Sequence, residues 1–380
     1  MSLVYLDNAA TSFPKPKNVI NAVNDSLFRC GNPGRSGHEL SIYSAREVYS
    51  CREAVCRFFN FNHPENVVFT YNTTYALNMA IKGLCKDNCE IIVSNLEHNS
   101  VLRPVSHLAL EKQNVSIKFF DALGTDDEII ENIQKLITEK TRLCAMTMCS
   151  NVTGKILPYK RISQLCKKHG IKLVLDAAQC AGLVRIDLSK LYFSAVCFAG
   201  HKSLCGIMGT GFVIFSPSEI PQTYIEGGNG TMSSSLVQSG PLPERLEAGT
   251  LGVPGIIALR EGIRHITATG IDRIYEKCMF LESELTEGLC NIKRVRVYGM
   301  TDRKVSTVLF NVEGKASEET AELLARNGIC TRAGLHCAPL AHKALGTLEM
   351  GAVRASISHF NCGSDIDALV SAVKRISCGI

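Results

Sequence analysis

Short apolar runs of strand length alternate with amphipathic segments of helical length through the first two thirds of this 380-residue chain. The apolar runs are NVVFT, CEIIVS, VSIKFF, RLCAMTM, IKLVLD, FSAVCFA and GFVIF. The segments between them include TTYALNMAIKGL, DDEIIENIQKLI and YKRISQLCKKHG. Strands that are almost entirely apolar and separated by helices are typical of a parallel sheet covered on both faces. The pattern predicts an α/β fold in which helices sandwich a mainly parallel seven-stranded sheet.

The pattern changes near residue 253, where a long stretch of helical periodicity begins. It is followed by the short apolar runs RVRVYG, VSTVLFNV and GAVRASISH, which are interleaved with helical segments. This order of elements predicts a smaller α+β domain with a mostly antiparallel sheet. We place the large domain at 15–255 and the small domain at 1–14 and 256–380.

Composition narrows the classes of protein to consider. The 17 cysteines lie mainly within predicted helices and strands of a long chain, so they do not indicate a disulfide framework. The sequence has no C-x-x-C pair, and the nearest approach to one is Cys85 with Cys89, so no metal site is predicted. The 41 basic and 36 acidic residues are scattered, and no signal peptide or membrane span is visible. We therefore expect a cytoplasmic protein with neither nucleic acid nor membrane as a partner.

Reactive and polar side chains follow the predicted strands directly. They are Thr73, Thr74, His98, Asn151, Asp176, Gln179, His201 and Lys202. The last two lie in GHKSLCGIMGTG, where glycines surround the lysine. Because ligands bind at the carboxyl ends of strands in open α/β sheets, we expect these side chains to meet at one edge of the sheet.

Each of these residue types has a role around pyridoxal phosphate (PLP). The Lys202 amine can bond covalently to the cofactor aldehyde, and a buried Asp176 would keep the pyridine nitrogen protonated. A helix N-terminus with threonine hydroxyls suits the phosphate. His98 can stack on the ring and exchange protons near neutral pH. Each residue alone has an ordinary explanation as a cap or turn residue, and the joint arrangement is what predicts a PLP site.

Longer motifs extend this pattern. They are YLDNAAT at 5–11, GRSGHELS at 34–41, SNVTG, LDAAQ, GHK, RLEAGT at 245–250, RAGLHCA at 332–338 and VRAS at 353–356. Over essentially its whole length the chain resembles the class-V aminotransferase-like family of fold-type I PLP enzymes. Within that family it resembles the type II, short-loop cysteine desulfurases. The resemblance implies a large PLP-binding domain, a small domain that carries the Cys337 loop, and a homodimer.

The resemblance also implies cofactor contacts. His98 would stack on the PLP ring, with Asp176 at the pyridine nitrogen and Gln179 at the ring oxygen. The phosphate would be held by Thr74, His201 and, from the partner subunit, Thr250. Ala199 stands where the family often has a serine or threonine, so either the phosphate is bound more weakly or Thr73 supplies the missing hydroxyl.

Substrate contacts are implied in the same way. The residues that would bind substrate are Asn8, Ala9, Asn151, Arg332 and Arg354. Arg354 would clamp the substrate carboxylate, for which a guanidinium is well shaped.

Lys202 alone is compatible with several PLP-dependent reactions, and Cys337 distinguishes desulfuration from the others. A thiolate can take sulfur from L-cysteine to leave L-alanine and a persulfide, and nearby Arg332 and His336 would favour the ionised thiol. We therefore predict a cysteine desulfurase with Lys202, Cys337 and His98 as catalytic residues. The short, apolar loop indicates either an acceptor protein that docks to take the sulfur or a slow basal turnover. A selenocysteine lyase, another class-V lyase or transaminase, and a non-catalytic relative remain alternatives.

Overall fold

The computed structural model describes residues 3–34 and 36–379. Its strands are β1 (Val4–Tyr5), β2 (Val67–Thr70), β3 (Glu90–Ser94), β4 (Ser116–Phe120), β5 (Thr141–Thr147), β6 (Lys172–Asp176), β7 (Ala195–Ala199), β8 (Gly211–Phe215), β9 (Val295–Tyr298), β10 (Thr307–Val312), β11 (Ile329–Cys330) and β12 (Val353–Ser356). Its α-helices are α1 (Lys17–Arg29), α2 (Glu39–Phe59), α3 (Thr73–Leu84), α4 (Asn99–Glu111), α5 (Asp126–Leu136), α6 (Tyr159–His169), α7 (Val253–Thr269), α8 (Ile271–Cys290), α9 (Ser317–Arg326), α10 (Pro339–Ala344) and α11 (Gly363–Cys378).

A seven-stranded sheet in the order β2-β8-β7-β6-β5-β3-β4 forms the centre of the protein. The strands from β3 to β7 are parallel to one another, and β8 pairs antiparallel with both β7 and β2. Successive side chains of β5 enter opposite cores, with Cys144 and Met146 in one and Leu143 and Ala145 in the other. Burial on both faces explains why the strands are continuously apolar. The predicted α/β fold with a mainly parallel seven-stranded sheet is confirmed.

The C-terminal third carries a separate three-stranded antiparallel sheet in the order β12-β10-β9. Its core includes Val308 and Phe310 of β10 together with side chains of α8, α9 and α11. The N-terminal strand β1 joins this part of the chain through parallel pairing with β11. The predicted antiparallel sheet is therefore present. The domain limits at 15–255 stay a prediction, and helix α7 runs through residue 255.

Two further features concern the disulfide-rich and membrane-spanning classes of protein considered in the sequence analysis. Every cysteine of the chain is free, and most are buried. None of the described helices combines the length and apolarity needed to cross a membrane.

Candidate active site

A cavity opens at the carboxyl ends of β5, β6 and β7. It is lined by Asn72, Thr73, Thr74, His98, Ser100, Thr147, Cys149, Asn151, Asp176, Ala178, Gln179, His201 and Lys202. The structure thus brings together all the side chains that the sequence analysis placed at strand ends. Parallel strands deliver them to one edge of the sheet, as expected for an open α/β fold.

Close backbone packing explains the glycines around Lys202. A Cβ atom on Gly211 would lie 2.6 Å from the carbonyl carbon of Asn72, and one on Gly206 would lie 2.7 Å from the Gly200 oxygen. Asn72 caps helix α3 by accepting a hydrogen bond from the Tyr75 amide. Gly211 therefore lets the N-terminus of α3 approach the strand that follows Lys202.

Lys202 and Asp176 form an ionisable pair in the cavity. Burial is the main cause that lowers the pKa of Lys202 to about 8, and Arg354 and Arg332 lower it further. Burial also raises the pKa of Asp176, although the Ala178 amide donates to its Oδ1 at 2.9 Å. A lowered pKa makes more of the lysine available as a neutral nucleophile near neutral pH.

Donor groups converge at the N-terminus of α3. The Thr74 hydroxyl lies 2.8 Å from the Ser100 hydroxyl, and the first amides of a helix lack partners within the helix. His201 Nδ1 is buried without a hydrogen-bond partner among the described residues. Such a cluster of amides, hydroxyls and an unpaired ring nitrogen is suited to bind an anion.

His98 is held as a neutral ring at the start of α4. Its Nδ1 accepts a hydrogen bond from the Ser100 amide at 3.0 Å, so Nε2 carries the proton. Burial, together with Lys202 and Arg354, lowers the pKa of His98 to about 4. Burial thus favours the neutral ring near pH 7, and the role of His98 in proton exchange stays a prediction.

The N-terminal segment reaches the cavity through Gln179. The Gln179 side-chain amide donates to the Ala9 carbonyl at 3.1 Å. The Asn8 amide is instead used within the chain, donating to the Ser356 carbonyl at 3.0 Å. Neither Asn8 nor Ala9 lines the cavity, so their role in binding substrate stays a prediction.

Asp7 joins two of the predicted substrate-binding arginines and was missed by the sequence analysis. Its Oδ2 accepts bonds from Arg332 Nε at 3.1 Å and Nη2 at 2.9 Å, while its Oδ1 accepts from Arg354 Nη2 at 3.0 Å. Arg354 is 3% exposed, and its Nε has no partner among the described residues. One carboxylate between two guanidiniums leaves one net positive charge for a further anion. Asp7 lies within the YLDNAAT motif, which was the one feature of the sequence that could have pointed to it.

The Cys337 loop is fixed to the rim of the cavity. The Asn99 amide donates to the Cys337 carbonyl at 2.6 Å, and Asn151 Nδ2 donates to the His336 carbonyl at 2.8 Å. His336 and Cys337 both adopt positive φ values, 51° and 56°, which non-glycine residues seldom do. The loop therefore holds an exposed thiol beside His98 and Asn151 in a strained backbone conformation.

His336 does not supply the positive charge expected beside Cys337. Its ring is buried against His342, with Nδ1 at 3.1 Å from the His342 Nε2. Burial and Arg354 lower its pKa to about 3, so it is neutral at pH 7. The cationic groups near the thiol are Arg332, which the sequence analysis had placed there, and Arg354.

The chain matches the family model described as aminotransferase class-V over residues 4–369. The chain belongs to this family. A protein named probable cysteine desulfurase from Methanothermobacter thermautotrophicus is 31% identical over 382 residues, which cover 98% of this chain and 94% of that protein. A protein of the same name from Synechocystis is 30% identical and covers 98% of this chain and 90% of its own. The resemblance recognised in the sequence is confirmed.

Solved structures of family members share the whole fold. A cysteine desulfurase from Thermococcus onnurineus, in its apo form, has a TM-score of 0.91 and 30% identity, covering 100% of this chain and 95% of that one. The cysteine desulfurase CsdA from Escherichia coli has a TM-score of 0.88 and 28% identity, covering 98% and 94%. The likeness extends across the seven-stranded and the three-stranded sheet.

Thr250 was predicted to bind the phosphate from the partner subunit. It does not line the cavity of its own chain. It is exposed and lines a separate groove with Tyr71, Tyr75 and Ile225. A buried ion pair anchors the segment just before it: Arg52 Nη2 lies 2.6 Å from Glu247 Oε2. Arg52 also donates to the Val67 carbonyl, and the Phe69 amide donates to Glu247 Oε1 at 2.7 Å. The pair therefore joins the RLEAGT segment to helix α2 and strand β2.

Replacement of Arg52, the cationic member of this ion pair, is expected to destabilise the fold. The Arg52→Met variant leaves the Glu247 carboxylate buried without its partner, at a cost of about 3–5 kcal/mol in the free energy of unfolding. Urea unfolding at fixed protein concentration measures the change, and Arg57→Met on the exposed face of α2 is the matched control. The double variant Arg52→Met/Glu247→Leu should recover most of the loss, and a double variant no more stable than Arg52→Met would contradict the account.

Proposed function

We propose that the chain is a PLP-dependent cysteine desulfurase that converts L-cysteine to L-alanine and receives the sulfur on Cys337. The observation that carries the proposal is the placement of Cys337. Its loop is bonded through Asn99 and Asn151 to the rim of the cavity that holds Lys202 and Asp176. A lysine, a buried carboxylate and a thiol at one cavity suit cofactor binding and sulfur capture together.

The described residues fit PLP on structural grounds. The unpaired His201 Nδ1 and the α3 N-terminus offer donors to a phosphate. Asp176 is buried with a raised pKa, so a cationic pyridine nitrogen would compensate its burial. When bound, PLP supplies an electron sink that weakens bonds at the substrate's amino-bearing carbon. Lys202 Nζ would hold the cofactor and is the base available to move a proton at that carbon.

Arg354 is suited to orient the substrate by its carboxylate. Its guanidinium is fixed by Asp7 and by the Asn151 carbonyl, to which Nη1 donates at 3.0 Å. Fixation on two sides leaves the buried Nε free to donate to a ligand. Because Asp7 neutralises only one of the two arginines it contacts, a net positive charge remains to bind one carboxylate.

The sulfur step balances without an outside oxidant. The Cys337 sulfur attacks the sulfur of L-cysteine, so an S–S bond forms while the substrate C–S bond breaks. The substrate carbon gains a proton and is reduced to the methyl group of alanine, and the transferred sulfur is oxidised to the sulfane level. The positively charged Arg332 and Arg354 lie near the Cys337 sulfur that performs the attack. The exposed position of Cys337 leaves the sulfur accessible to an acceptor protein.

Product analysis tests this proposal. Purified protein loaded with PLP is incubated with L-cysteine and a thiol reductant, and alanine, sulfide, pyruvate and ammonia are quantified. A desulfurase yields alanine and sulfide in equal amounts. Pyruvate with ammonia would instead identify a lyase that eliminates sulfide without using Cys337. The same measurement with L-selenocysteine compares the two substrates.

A second copy of the chain is the proposed source of Thr250. The groove that Thr250 lines contains Tyr71 and Tyr75, which are 51% and 38% exposed, and Ile225, which is 39% exposed. Apolar side chains exposed together favour burial against a partner. We propose a homodimer in which Thr250 of one subunit binds the phosphate of the cofactor that is held by His201 and bonded to Lys202 of the other.

A mixed dimer is expected to recover activity from two inactive variants. Thr250→Glu places a carboxylate against the phosphate and weakens cofactor binding, whereas Lys202→Ala removes the nucleophile. A heterodimer of the two holds one doubly damaged site and one intact site. With different affinity tags on the two chains, the purified heterodimer should show about half of the wild-type activity. An inactive heterodimer would mean that Thr250 acts within its own subunit.

A further inference from the structure

Four donors of the N-terminal segment converge on the main-chain oxygen of His201, the residue before Lys202. The Ser12 amide lies at 3.2 Å, the Thr11 hydroxyl at 3.0 Å and the Ser12 hydroxyl at 3.3 Å. The ammonium of Lys15 makes the shortest contact, at 2.8 Å. A carbonyl oxygen has two lone pairs, so a charged donor at the shortest distance makes the strongest of these bonds.

The Lys15 ammonium bonds to uncharged oxygens. Its Nζ bonds to a hydroxyl, that of Ser12 at 2.8 Å, and to the His201 carbonyl. Burial lowers its pKa to about 8. Partial burial of a lysine ammonium against main-chain and hydroxyl oxygens costs more free energy than exposure at the surface. We therefore expect this position to serve a function.

The peptide that Lys15 binds leads directly into the loop around Lys202. The Gly206 amide donates to the Gly200 carbonyl and the Cys205 amide to the Lys202 carbonyl, both at 2.8 Å. These two bonds fix the turn after Lys202, whereas the bond from Lys15 fixes the peptide before it. Lys15 itself does not line the cavity. Its influence on the site therefore passes through the backbone.

We propose that Lys15 is a positioning residue that holds the His201 carbonyl and thereby sets the direction in which Lys202 and His201 enter the cavity. This inference deepens the proposed function, on which it rests for the role of Lys202. It assigns to the N-terminal segment a contribution to the cofactor site from outside the cavity. The Lys15 ammonium is the only charged group among the four donors to the His201 carbonyl.

The test compares Lys15→Met, Lys15→Arg and the control Lys17→Met, whose lysine is exposed two positions along the chain. Amide hydrogen exchange of the full chain without cofactor is followed by mass spectrometry in the peptide covering 200–206. We expect exchange there to quicken by about tenfold or more in Lys15→Met, because a charged hydrogen bond is lost. The dissociation constant for PLP should rise by about the same factor. Lys15→Arg should restore most of both values, and Lys17→Met should leave both unchanged.

Equal exchange and equal PLP affinity in Lys15→Met and wild type would overturn the inference. A uniform rise in exchange over the whole chain would also overturn it, because that result indicates general destabilisation. If Lys15→Met does not fold, Lys15→Gln takes its place and is judged by the same two criteria. If the wild-type chain fails to bind PLP, the proposed function is wrong, whereas the exchange data still decide whether Lys15 holds the loop.

Discussion

Lys202→Ala is expected to reduce the turnover of L-cysteine by on the order of 10⁴-fold or more, because the group that bonds to the cofactor is lost. The fold should be retained, since the side chain lies in a cavity and does not pack in the core. PLP can still bind reversibly through Asp176 and the α3 N-terminus. The variant should therefore bind cofactor without a covalent link.

Borohydride reduction followed by peptide mass mapping measures that link. In the wild-type protein the pyridoxyl label should lie on Lys202 alone, and Lys202→Ala should carry none. Lys168→Ala, on the exposed face of α6, is the matched control and should be labelled like wild type. A label on another lysine would show that Lys202 has been wrongly assigned.

The pH dependence of labelling follows from the lowered pKa of Lys202. Burial disfavours the ammonium, so the reactive neutral amine becomes the main form as the pH rises through about 8. The initial rate of cofactor attachment to the cofactor-free protein should therefore rise with pH, reach half of its plateau near pH 8 and level off at higher pH. Arg354→Met removes a nearby positive charge that helps to lower this pKa, and so it should move the midpoint to higher pH.

The cavity could be predicted from the sequence because its residues follow strands. Apolar runs mark where the strands end, and parallel pairing requires those ends to meet at one edge. Asp176 and Lys202 are therefore placed together by local patterns and one topological rule. The same reasoning holds for Thr74, which follows β2 at the start of a helix.

Other features depend on contacts that no local pattern reveals. Asp7 meets Arg332 and Arg354 across 325 and 347 positions of the chain. The pKa of His336 depends on burial beneath the loop, so a histidine expected to be cationic is neutral. These are properties of tertiary packing, and they decide which groups carry charge at the site.

Cys337→Ala is expected to lose alanine formation by on the order of 10³-fold or more while it retains the cofactor spectrum. In the proposed function the thiol receives sulfur at the rim of the cavity, and Cys337 is not among the residues that line the cavity. L-cysteine should therefore still bind and change the visible absorbance. Cys290→Ala is the matched control, because Cys290 is also an exposed cysteine but lies at the end of α8.

Trapping with an alkylating reagent after one turnover locates the transferred sulfur. In the wild-type protein, the peptide that contains Cys337 should gain the mass of one additional sulfur, and the Cys290 peptide should not. Cys337→Ser distinguishes nucleophilicity from shape, since a hydroxyl fits the loop but cannot accept sulfur. The serine variant should be as inactive as the alanine variant. Alanine release at the wild-type rate from either variant would exclude Cys337 as the sulfur acceptor, because a different atom would then have to break the substrate C–S bond.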